Sequence, residues 1–164
     1  MQSKFSVQKS FSDKMISYFA CSVFLALMLV PTFLFESLLS AKILACVLSV
    51  FLLICLFMTV MKKVTVDGSR IKVRTSMGRI YSFGCAEILD IECGQSTNIK
   101  QGCPYYIAVK ADRNNLVVDS KSENFDLFAE YLLEKVRNGE INNLESPEQS
   151  RRELTRLLGK LRKQ

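Results

Sequence analysis

The chain has 164 residues, 49 % of them hydrophobic, and carries 22 Lys and Arg against 16 Asp and Glu, a formal net charge of +6. It has no His and no Trp, which excludes imidazole acid–base chemistry and the commonest metal ligand. Residues 62–146 are electrically balanced and the basic excess falls on residues 1–14 and 147–164, so the middle of the chain lacks the basic face a nucleic-acid binder needs.

Residues 1–14, with Lys4, Lys9 and Lys14, read as a short basic terminus. Residues 15–61 then hold only two charges, Glu36 and Lys42. The uncharged runs 15–35 and 43–61 are rich in Leu, Ile, Val and Phe. At about 1.5 Å per residue each reaches about 30 Å, the thickness of a bilayer's hydrocarbon core. The expectation is a transmembrane helical hairpin over 15–61. A cleaved signal peptide fits less well, because the first run exceeds the roughly 7–15 apolar residues of such a segment. Lys4, Lys9 and Lys14 before the first run, and Lys62 and Lys63 after the second, outnumber Lys42 in the connection. The positive-inside rule therefore predicts a multi-pass protein of the inner membrane with both termini cytoplasmic. Ala41, Ala45 and Ser49 recur every four residues, a spacing that lets helix backbones approach closely.

From Val64 the pattern alternates. Val64-Thr65-Val66 leads to the turn signal Asp67-Gly68, and Arg70-Ile71-Lys72-Val73-Arg74 alternates charged and apolar residues as a half-buried strand should. Further strands are predicted over 80–83, 88–93, 105–110 and 116–118, separated by turn residues or, over 94–104, by a Gly- and Pro-bearing loop. Short strands at this spacing imply an antiparallel sheet or small barrel. Ser120 and Glu123 suggest a capping box, followed by apolar residues at helical spacing from Phe125 to Val136 and a stop at Gly139. Residues 139–146 read as a polar linker. Ser146-Pro147 then opens a basic amphipathic helix over 147–164, with Leu154, Leu157, Leu158 and Leu161 on one face and Arg151, Arg152, Arg156 and Lys160 around it.

Several short strands closed by one helix over 62–138, after a helix pair, resemble the bacterial pleckstrin-homology-like domains that follow membrane helices. The resemblance rests on Val64-Thr65-Val66-Asp67-Gly68-Ser69-Arg70-Ile71-Lys72-Val73, on the spacing of Phe83 and Ile88, and on the order of elements. The expected fold is thus an α+β membrane protein: a two-helix hairpin, then a pleckstrin-homology-like antiparallel β-barrel or sandwich capped by a helix, then the basic tail helix. In the eukaryotic domains of this fold, basic residues near the first hairpin hold phosphoinositide headgroups. The resemblance implies such a role for Lys72, Arg74 and Arg79, with Arg70 on the same strand face; the plainer alternative is that an exposed strand is simply polar. The tail helix suits an anionic membrane surface, a partner's groove or a solvated helix.

The six Cys form no CxxC pair. A zinc site from Cys85, Cys93 and Cys103 would lack close ligand pairs, and free thiols are the simpler reading. A nucleophilic Cys has no His as base, and neither a Walker-type loop nor a GxGxxG motif occurs. The sequence therefore predicts no catalytic residues, no metal and no cofactor. The leading expectation is a non-enzymatic membrane-anchored module that recruits or assembles protein partners, or associates with itself, with lipid contact and no nucleic acid. An anionic-lipid sensor is the alternative, and a holin-like pore former a more remote one.

Overall fold

A computed structural model of the chain describes residues 4–34, 39–60, 62–96 and 105–162. The described residues form an α+β structure with two antiparallel sheets and four α-helices. By compactness it divides into two units: residues 1–8, 63–74 and 80–164 form one, and residues 9–62 with 75–79 form the other.

The first unit opens with β1 (Lys4–Lys9). The chain returns after the helical pair as β2 (Lys63–Asp67), β3 (Arg70–Arg74) and β4 (Ile80–Gly84). Gly68, with φ +61°, takes the left-handed conformation needed for the tight reversal between β2 and β3. A 3-10 turn at Cys85–Glu87 leads into β5 (Ile88–Gln95). Then come β6 (Tyr105–Ala111), β7 (Asn115–Asp119) and the two-residue β8 (Ser122–Glu123). The larger sheet has the order β4-β3-β2-β1-β8 and the smaller β5-β6-β7. The helix α3 (Phe125–Arg137) follows β8, and α4 (Pro147–Leu161) ends the unit.

Period-2 alternation fixes which face of each strand is buried, with a register irregularity between Ile88 and Asp90 that lets Ile88 and Ile91 of β5 share one face. Val7, Val64, Val66, Ile71, Val73 and Phe83 point inward from the larger sheet, and Ile88, Ile91, Ile107, Val109, Leu116 and Val118 from the smaller. Phe128, Ala129 and Leu132 of α3 and Leu154, Leu157 and Leu158 of α4 complete the same hydrophobic cluster.

Three expectations within this unit change. The basic N-terminus is a strand, because Phe5 and Val7 alternate with polar residues and β1 pairs along β2, Lys4 opposite Asp67 and Gln8 opposite Lys63. The capping box at Ser120 is not formed. The helix starts later, after Asn124, whose side chain donates to the Ser6 carbonyl at 2.8 Å, while Glu123 accepts from Gln8 at 3.1 Å. The tail helix is not a free amphipathic segment: α4 packs on α3 and β5, and Leu154 has no exposed surface. Its leucine face is buried inside the unit, so it presents no apolar stripe to a membrane surface or a partner.

The second unit contains α1 (Phe11–Leu34) and α2 (Leu39–Val60), which contact each other. Among the described residues of α2, Ala45 and Ser49 are buried, and the Ser49 hydroxyl donates to the Ala45 carbonyl at 2.7 Å. The expectation of a transmembrane hairpin is corrected. Among the described residues no helix is long and apolar enough to cross a membrane. The membrane fold class and the multi-pass inner-membrane location with both termini inside go with it.

Candidate anion-binding face

Alternation that buries Val64, Val66, Ile71 and Val73 must turn the intervening side chains outward. On the outer face of the larger sheet, register sets Lys63 opposite Arg74, Thr65 opposite Lys72 and Asp67 opposite Arg70. Arg70, Lys72 and Arg74 are exposed, so three of the predicted residues share one strand face. Arg79 does not join them within the unit: it closes the turn at residues 75–79, where its carbonyl accepts from the Thr75 amide at 2.9 Å, and that turn belongs to the second unit.

Lys4 of β1 forms an exposed ion pair with Asp67 at 3.2 Å, occupying the one carboxylate that lies opposite Arg70. Lys63, Arg70, Lys72 and Arg74 have no ion-pair partner among the described residues. Like charges directly opposite each other on neighbouring strands are mildly destabilising, and Lys63 against Arg74 is such a pair. Sequence reading treated Lys63 as a flanking charge of a membrane span. Its place was nevertheless countable: a two-residue turn at Gly68-Ser69 puts it opposite Arg74.

The residues predicted on the tail helix separate into two sets. Leu154, Leu157 and Leu158 are buried, Leu161 packs against the same core, and Arg151, Arg152, Arg156 and Lys160 are exposed. Lys160 lies over the Tyr105 ring, 5.5 Å from its centroid. Arg152 approaches Glu148 at 3.9 Å. Glu153 accepts from the Cys93 amide at 3.1 Å and from Gln149 at 2.9 Å, tying α4 to the end of β5. The Ser150 hydroxyl donates to the Ser146 carbonyl at 3.1 Å.

Cys85 and Cys93 pack into the sheet-bearing unit. Burial raises the Cys85 thiol pKa, against the lowering effect of its Tyr131 contact; the sulfur lies 3.1 Å from the Tyr131 hydroxyl, which also meets the Gly68 carbonyl at 3.0 Å. Burial, with Glu153 and Glu92 nearby, pushes the Cys93 thiol up to about 12. Both are therefore poor sources of thiolate near neutral pH. Among the described residues no group of three or more His, Cys, Asp or Glu is placed to hold a metal ion; Cys103, a member of the considered zinc set, lies outside the described residues.

Compared with protein-family models, curated proteins and solved structures, the chain gives no match in any of the three, so no relative supports the resemblance to pleckstrin-homology-like domains.

Proposed function

We propose that this chain is a non-enzymatic assembly module whose helical pair associates with protein, a second copy of the chain in the first instance. The observation that carries this reading is the uncovered apolar surface of α1 and α2. Phe19 is 72 % exposed, Leu27 69 %, Leu39 74 % and Phe51 62 %, and Ile16, Ile43, Leu44 and Val47 are exposed beside them on the same two helices. Apolar surface on this scale marks an interaction site, because leaving each such side chain in water forfeits roughly 1.5–3 kcal/mol of burial. The raised pKa values of the Cys85 and Cys93 thiols and the absence of His from the sequence support a binding role over a catalytic one.

The test is the mass of the purified full chain by light scattering, with and without mild detergent, beside Phe19→Glu and Leu44→Glu variants. Self-association predicts an oligomer that the charged variants shift toward monomer. A monomer carrying only a belt of lipid or detergent contradicts the reading.

A second reading, the binding of an anionic headgroup on the sheet face, is favoured by one observation: Lys63, Arg70, Lys72 and Arg74 sit together without carboxylate partners, two of them as a like-charge pair. Replacing the four by Gln should reduce association of the full chain with phosphatidylglycerol vesicles and flatten its salt dependence. Unchanged association would reject the site.

A further inference from the structure

The sequence assigned the basic residues of α4 to the outside of a free helix. In the folded unit some of them line a groove instead. The last turn of α3 and the first turns of α4 border an open groove of about 1130 Å³, lined by Arg137 on one side and by Arg151, Arg152 and Arg156 on the other. Two carboxylates also line it: Glu148, 3.9 Å from Arg152 within the groove, and Glu153, which holds the Cys93 amide and Gln149. Arg137, Arg151 and Arg156 are exposed and have no ion-pair partner among the described residues. Four guanidinium groups from two helices thus face one groove with two carboxylates, which leaves it positively charged.

We infer that this groove binds an acidic peptide segment of a partner protein, one carrying several Asp or Glu side chains. The guanidinium forks would take its carboxylates in charge-assisted hydrogen bonds. The shape of the site selects this ligand over others that are also anionic. The space far exceeds a single small anion, and its charges are spread along α4: residues 151 and 156 stand about 7.5 Å apart along a helix axis, near the spacing of alternate residues in an extended peptide. No aromatic side chain lines it, so it lacks the stacking platform of a single-stranded nucleic-acid site. A lipid surface is also a poor fit, because the leucines that would insert beside these arginines are buried in the core.

The inference is independent of the association proposed for the helical pair, since the groove lies wholly within the sheet-bearing unit. It is tested on the full chain by fluorescence anisotropy with a labelled poly-Glu peptide, against a poly-Gln peptide, oligo-dT and phosphatidylglycerol vesicles as competitors. The expected result is binding of poly-Glu alone among the peptides, weakened by salt. Each of R137Q, R151Q and R156Q should weaken it by roughly two- to fivefold, the range for exposed charge pairs, and the triple variant by the product of the three. All three side chains are exposed and unpaired, so the variants should melt like the parent. Equal binding of poly-Gln, displacement by oligo-dT or vesicles in preference to free poly-Glu, or an unchanged affinity in the triple variant with its melting preserved would each overturn the assignment.

Discussion

At the residue scale, the acid groups of the core behave alike. Cys85, Cys93 and Tyr131 all have raised pKa values, chiefly because burial penalises their charged forms. A raised value in the folded state means that the unfolded chain loses its protons first as pH rises. Stability from this source is therefore complete below the unfolded thiol value and is lost above it. For Cys93 the window runs from 9.0 in the open chain to about 12 in the fold. Urea unfolding midpoints measured across that range should fall with pH, and less steeply in Cys93→Ala; an identical slope in the variant would refute the account. Little of this was legible in the sequence. That Cys85 sits in a strand-rich region was visible, but not that Tyr131, 46 residues on, would bring its hydroxyl to the sulfur and to the Gly68 carbonyl.

At the scale of elements, local pattern was readable where neighbours in the sequence are neighbours in space. The run from Val64 to Arg74, its turn at Gly68, the apolar face of α3 and its end at Gly139, with φ +68°, follow from period and turn chemistry. What failed is what depends on distant partners. β1 is only six residues long, and it counts as a strand because β2 lies beside it after the helical pair. The face of α4 is an ordinary amphipathic stripe whose partner, α3 together with β5, the period alone does not name. The energetic consequence can be measured. Leu154→Ala removes a side chain with no exposed surface, and should destabilise the sheet-bearing unit by about 2–5 kcal/mol. Arg152→Ala, on the exposed side of the same helix, should change stability by less than about 1 kcal/mol. Chemical denaturation of the two variants separates a core helix from a docked tail; equal, small effects would mean that α4 is dispensable to the fold.

At the scale of the whole molecule, one feature of connectivity organises the rest. β1 and β2 are antiparallel neighbours, with Gln8 opposite Lys63, so residues 10–61 stand where a short hairpin turn would suffice. The helical pair is an insertion at the tip of a β-hairpin. A fragment beginning at residue 62 would lack the strand between β2 and β8, and one ending at 140 would lack α4. The helical pair's apolar surface follows from its composition, which the sequence declares. The identity of what covers it depends on contacts outside the chain, and sequence pattern alone named a bilayer. The sheet-bearing unit buries its own core, whereas α1 and α2 leave large apolar side chains uncovered; association should therefore reside in the insertion. The most direct measurement is sedimentation of the full chain beside a version in which residues 10–61 are replaced by Asn-Gly, a two-residue turn suited to joining antiparallel strands. The expected result is a folded monomer for the shortened chain and an oligomer for the full one. A shortened chain that still forms the oligomer, or a full chain that sediments as a monomer at every concentration, would contradict the account.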